Sequence, residues 1–133
     1  AKVLANLGVK RGIVVYGNDG IDEVTVSATN TIAEINGGEI TTYTLDPQAL
    51  GFAPCRKSDL VGGDARVNAG STYDILSGKE QGAKRNAVVL NSGLSLYLGG
   101  KGSIKECIEL ARETIDNGKA LEKLQQLIAL SNA

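Results

Sequence analysis

Apolar residues follow two rhythms along this chain. From Gly12 to Leu45 they gather in short β-branched runs divided by Gly, Asn and Asp, and from Asp64 onward they return every three or four positions. The first rhythm is that of strands and turns, the second that of helices with one buried face. Ala1 to Leu7 carries a short helical pattern that Gly8 can end. Gly12-Ile13-Val14-Val15-Tyr16 shows no polar alternation, which predicts an interior strand covered on both faces, as in a parallel sheet under helices. Val24-Thr25-Val26-Ser27 is a second β-rich run. Thr31 to Ile35 and Ile40 to Leu45 flank Asn36-Gly37-Gly38, so an antiparallel hairpin is expected from Thr31 to Leu45.

Past the hairpin, Asp46-Pro47 suits a helix cap followed by proline at the first helical position, a brief turn that Gly51 stops. Phe52 to Asp59 reads as a loop. Asp64 can cap a helix running to about Ser77, with Gly78 just beyond its end. Ala87 to Leu98 fits strand or helix by periodicity, but its length and its Leu, Asn and Ser content favour a buried helix. Ser103 and Glu106 form a capping box ahead of the stripe Ile104, Cys107, Ile108, Ala111 and Ile115. Asn117-Gly118 closes that helix, and Leu121, Leu124, Leu127 and Ile128 mark a last one. Strands followed by helices within 133 residues indicate one α/β unit.

Composition narrows the function. With 14 basic and 15 acidic residues the formal net charge is −1, so no strong positive field exists to attract nucleic acid or an anionic membrane. No apolar run approaches the roughly 18 to 20 residues of a membrane helix. Cys55 and Cys107 stand alone, in neither a metal spacing nor a disulfide framework, and are expected to be reduced, buried and cytoplasmic. Histidine is absent, which removes imidazole as base, triad member or metal ligand within this chain. The start at Ala1 without methionine is expected to be a cut in a longer protein.

One constellation has a chemical reading. Asp19, Asp22 and Glu23 lie on a glycine-containing loop after the first strand and offer hard oxygen ligands for magnesium, although Asn, Asp and Gly equally make a solvated turn. Gly62-Gly63-Asp64 hints at a phosphate loop, but Asp64 puts negative charge where phosphate would sit, which favours a plain helix cap. Lys84-Arg85 and Lys101 read as solvated surface cations.

Taken in order, these segments resemble the carboxyl-terminal part of anthranilate phosphoribosyltransferases. The matching stretches are Leu4-Ala5-Asn6-Leu7-Gly8, the loop ending in Asp22-Glu23, and Thr31-Ile32-Ala33-Glu34-Ile35. Gly38-Glu39-Ile40, Tyr43-Thr44-Leu45-Asp46-Pro47, Gly62-Gly63-Asp64 with Asn68-Ala69, and Asn86-Ala87-Val88-Val89-Leu90-Asn91 continue in the family's order, and the run from Ala111 to Ala120 closes it. The resemblance implies a partial α/β domain of the nucleoside phosphorylase/phosphoribosyltransferase type. It also implies transfer of phosphoribose from phosphoribosyl pyrophosphate (PRPP) to anthranilate in tryptophan biosynthesis, with Asp22 and Glu23 matching the pair that holds magnesium on the pyrophosphate. Tyr16 departs from the family's common histidine and Asn18 from a frequent acid. The glycine-rich PRPP loop, the anthranilate pocket and the helical dimer-forming domain precede the matched region. This chain alone is therefore expected to be inactive, with apolar surface that favours a homo-oligomer. A non-catalytic interaction module on the same fold and a pyrimidine nucleoside phosphorylase-like enzyme are the alternatives.

Overall fold

The computed structural model describes residues 1–132. A short helix, α1 (Lys2–Asn6), leads into a three-stranded antiparallel sheet, β1 (Arg11–Gly17), β2 (Asn30–Asn36) and β3 (Glu39–Leu45), in the order β1-β2-β3. Four helices come after it: α2 (Ala65–Leu76), α3 (Ala83–Leu98), α4 (Ile104–Asp116) and α5 (Lys119–Ser131). Single 3-10 turns at Gln48–Leu50 and Lys57–Leu60 interrupt the connection from β3 to α2.

The hairpin forms where the glycines allow it. Asn36 pairs with Glu39, leaving Gly37 and Gly38 as the two loop residues, with φ of 60° and 97°. Positive φ at both central positions is the type I′ geometry, whose twist matches that of the strands it joins. Asp64 caps α2 by accepting from the Val67 amide at 2.9 Å. Ser103 and Glu106 cap α4 reciprocally, the Ser103 amide donating to the Glu106 carboxylate at 2.8 Å.

The core lies between one face of the sheet and the pair α3–α4. Ile32 and Leu45 of the sheet meet Val89, Leu90 and Leu94 of α3 and Ile108, Ala111 and Ile115 of α4, with Phe52 closing one side. At Gly93 an added Cβ would stand 2.7 Å from the Ile108 side chain and 3.0 Å from its Cα, so α3 and α4 approach this closely because position 93 has no side chain. Arg85, expected to be a solvated surface cation, is instead only 5% exposed and joins the start of α3 to the end of α4 through Asp116 at 2.7 Å. Glu34 of β2 stitches sheet to helix, accepting from Tyr43 at 3.0 Å and from Tyr97 of α3 at 2.7 Å.

Four other expectations need correction. Among the described residues β1 is an edge strand that pairs only with β2, and antiparallel, where an interior strand of a parallel sheet was expected. Its register explains the split: Ile13 and Val15 face the helices with Glu34 and Ile32, whereas Val14 and Tyr16 emerge on the opposite face, 37% and 56% exposed. Val24 to Ser27 is not a strand. It is a buried irregular segment whose apolar side chains serve the core without a ladder. α3 begins at Ala83, four residues before the apolar run, because its first turn is polar. Cys55 is half-buried, and only Cys107 is fully buried.

Candidate functional site

The loop from Asn18 to Thr29 connects β1 to β2 and closes on itself. The Asn18 amide donates to the Thr29 carbonyl at 3.0 Å, the Gly17 amide to Ile21 at 2.9 Å and the Gly20 amide to Gly17 at 2.8 Å. The Asn18 side chain reinforces this neck, donating to the Thr29 hydroxyl at 2.8 Å and accepting from that of Thr31 at 3.0 Å.

The three acids take different positions. Asp19 turns inward, where its carboxylate accepts from the hydroxyls of Thr25, at 3.0 Å, and Ser27. Burial raises the Asp19 pKa, but these hydroxyls and the Ile21 amide outweigh it and hold the carboxyl below the usual range. Asp22 and Glu23 point outward and are exposed. Among the described residues neither takes part in an ion pair or a side-chain hydrogen bond. The sequence grouped Asp19 with the pair; the structure separates it, and no cluster of three metal-binding side chains occurs among the described residues. Asp19 serves the loop's architecture while the pair stays free.

The segment after Glu23 was not legible as part of a site. Val24 and Thr25 are buried, yet they have no partner strand, so their peptide groups need other partners. Asn91 of α3 supplies them for Val24, accepting from its amide at 3.2 Å and donating to its carbonyl at 2.8 Å. Asn30 does the same for Thr25, at 2.7 and 3.0 Å. Two carboxamides replace the missing ladder. The only signal in the sequence was an asparagine in the apolar stretch of α3, a polar group that burial obliges to find partners.

Beside the pair lies a cleft of about 250 Å³ whose walls include Glu23, Thr25, Leu60, Ile75 and Lys84. Lys84, read from sequence as a surface cation, thus borders the same space as Glu23. Lys57 reaches the loop from below, its ammonium donating to the Asp19 carbonyl at 2.7 Å. Asp64 acts as a cap, as expected, and Tyr16 stands on the outer sheet face.

The arrangement fits magnesium of one kind. Two exposed carboxylates without competing partners offer hard oxygen ligands but too few to enclose a cation, so most of its shell must come from water and an anionic substrate.

Three comparisons place these features among known proteins. A family model described as "Glycosyl transferase family, a/b domain" matches residues 1–121. The chain is 47% identical over its whole length to an anthranilate phosphoribosyltransferase of Ruminiclostridium cellulolyticum, of which it covers 39%. It superposes on the crystal structure of anthranilate phosphoribosyltransferase from Thermus thermophilus with a TM-score of 0.87 and 35% identity, covering 98% of this chain and 38% of that one. The Saccharomyces cerevisiae enzyme in complex with PRPP and Mg aligns over 86% of this chain and 33% of its own, with a TM-score of 0.76 and 25% identity. The chain thus spans about two-fifths of the length of the relative it matches over its whole length.

Proposed function

The chain belongs to the glycosyl transferase family through its a/b domain, and from that premise we propose that it is part of an enzyme transferring phosphoribose from PRPP to anthranilate. The products are phosphoribosyl anthranilate and pyrophosphate. The observation that carries this reading is the acidic pair. Asp22 and Glu23 stand exposed and unpartnered on a loop whose neck and exit are both tied down, in a chain 47% identical to an enzyme of that name.

Asp22 and Glu23 would hold a magnesium ion, whose chemistry there would be to offset the negative charge of a pyrophosphate leaving group. This chain's own residues do the rest. Asp22 and Glu23 present carboxylate oxygens toward the solvent side of the loop. Asp19 keeps its charge turned away, within hydroxyl hydrogen bonds, and does not compete for the cation. Lys84 borders the same cleft as Glu23 and offers a cation there for a phosphate group. No imidazole takes part.

The chain is read as the carboxyl-terminal part of the α/β domain, on the order of its motif matches. The remainder of the parent protein supplies the groups that position PRPP and anthranilate, and it covers the open edge of β1. Exposed Val3, Leu7, Val14 and Tyr16 near that edge, and Leu127, Ile128 and Leu130 on α5, are apolar surface suited to this contact and to a second copy in a homodimer. A cytoplasmic parent is part of this proposal. No helix among the described residues is long and apolar enough to cross a membrane, and both cysteines are free, which suits a reducing compartment.

The test monitors anthranilate fluorescence with PRPP and magnesium, using this chain, the full-length protein, and full-length Asp22→Asn with Glu23→Gln. The full-length protein is expected to turn over and this chain alone not to, because near-attack positioning contributes roughly 7 to 11 kcal/mol of barrier lowering. The double variant is expected to lose activity at least a hundredfold, on the order of one strong electrostatic contact to the transition state. Wild-type turnover in the double variant across magnesium concentrations rejects the metal role.

A further inference from the structure

The two peptide groups that flank the Val24 Cα are gripped by one side chain from outside the loop. The Asn91 carboxamide accepts from the Val24 amide at 3.2 Å and donates to the Val24 carbonyl at 2.8 Å, while its second N–H donates to the Ala87 carbonyl at 2.9 Å, one turn earlier on α3. Both amide hydrogens and the oxygen are used, so the carboxamide cannot rotate without breaking a bond. The helix that carries it is itself packed into the core through Val89, Leu90 and Leu94. A rigid element therefore reaches across and fixes the backbone at the residue after Glu23. Asn30 repeats the grip one residue later, on Thr25, so the direction in which the chain leaves the acidic pair is set twice. An extended segment needing only burial could have paired with a strand. This one is held by polar groups whose removal leaves its apolar contacts in place.

We propose that Asn91 is a positioning residue for the acidic pair, holding the Val24 main chain so that both carboxylates keep the orientation in which they share one cation. The inference rests on the reading of Asp22 and Glu23 as magnesium ligands. A group that orients ligands without touching the metal typically changes metal affinity or activity by roughly 10 to 100-fold when removed. Loss of Asn91 should therefore act on the metal requirement more than on recognition of the acceptor.

The experiment compares wild type, Asn91→Ala and Asn91→Asp in the full-length protein. Asn91→Asp keeps the size and an acceptor for the Val24 amide but removes both donors, and it serves if the alanine variant does not fold. Two quantities are read: the magnesium concentration giving half-maximal velocity, and the affinity for manganese with inorganic pyrophosphate, measured by electron paramagnetic resonance. Both are expected to weaken about tenfold or more in each folded variant, with the KM for anthranilate unchanged. Unaltered metal requirement and unaltered manganese affinity in a folded variant overturn the proposal, as does a loss confined to the KM for anthranilate. A wild-type protein that does not transfer phosphoribose fails the functional reading instead. In that case manganese affinity still decides whether Asn91 acts on the pair.

Discussion

The α3–α4 pair and the loop between β1 and β2 both pack against the sheet, and they hold their places by different means. The helices interlock through apolar side chains, with Leu90 at 0% and Ile108 at 1% exposure and Gly93 admitting close approach. The loop contributes Val24 and Val26 to the same core, but its path is set by polar side chains on main-chain groups: Asn91 on Val24, Asn30 on Thr25, Asp19 across its base. Packing distributes stability over many weak contacts, whereas hydrogen bonds to buried peptide groups concentrate it in a few directional ones. A loop of the second kind can be fixed to the accuracy that a ligand requires without presenting an apolar surface to it.

The largest effect should come from the packed region. Leu90→Ala is expected to cost about 2 to 5 kcal/mol by denaturant unfolding, through lost transfer energy and the cavity left behind. Asn30→Ala should cost less, about 1 to 3 kcal/mol for unsatisfied buried peptide groups. Equal losses, or the reverse order, would break the distinction between the two regions. The folded fraction of the Leu90 variant should keep the wild-type metal requirement, since that residue only supports the helix face.

One polar contact inside the helical half sharpens the comparison. Arg85 is buried with its Nε unpartnered among the described residues, and its one ion pair is to Asp116, whose side chain is 56% exposed. Asp116→Ala strands a buried guanidinium and is expected to cost about 1.5 kcal/mol, the low end for a bond to a charged group because solvent still reaches that carboxylate. Arg85→Met keeps the packing stem and removes both the charge and the orphan nitrogen, so it should cost less. Urea titrations of the two variants settle the order, and a larger loss for Arg85→Met would mean that the guanidinium stabilises this corner through contacts other than its ion pair to Asp116.

The helical half was legible because periodicity and caps report on local structure. Asp64, the Ser103–Glu106 box and the stripe ending at Ile115 each make in the fold the contact their spacing implies. The hairpin was legible for the same reason, through Gly37 and Gly38. The failures lie where a segment's fate depends on what comes to meet it. Gly12 to Tyr16 has the composition of a strand covered twice, but in this chain helices cover one face and a single strand takes one edge. Val24 to Ser27 has strand composition and burial, yet Asn91, 67 positions from Val24, does the work of a neighbouring strand. At the site, Asp22 and Glu23 were visible as exposed acids, and the resemblance singled them out. Asp19 could not be parted from them by sequence, because the inward turn depends on hydroxyls six and eight residues away.

The smallest expected effect is a dependence on pH, and it separates the seam between sheet and α3 from the loop. Tyr43 and Tyr97 both donate to Glu34. Burial, then the bond to Glu34, raises the Tyr43 pKa well above the ordinary 10.0. For Tyr97 the bond to Glu34 leads and burial adds to it, against the opposing Arg11 guanidinium, whose carbon lies 5.0 Å from the ring centre. A raised folded-state pKa means that the fold prefers the protonated phenol. The contribution is therefore complete below pH 10.0 and is lost as pH rises from there toward the folded values. Burial also raises the pKa of Cys55, so its contribution has the same sign and begins to fade at its lower ordinary value of 9.0. Asp19 has the opposite sign: its lowered pKa favours the ionised form in the fold, and its contribution is lost as pH falls through the carboxylate range. Thermal melts from neutral pH upward should fall more steeply above pH 10.0 for wild type than for a Tyr43→Phe, Tyr97→Phe double variant. Both proteins keep Cys55, so the difference between their curves belongs to the phenols. Parallel curves would mean that the phenols ionise in the fold as they do in the unfolded chain, and that apolar contact alone holds α3 to the sheet at this seam.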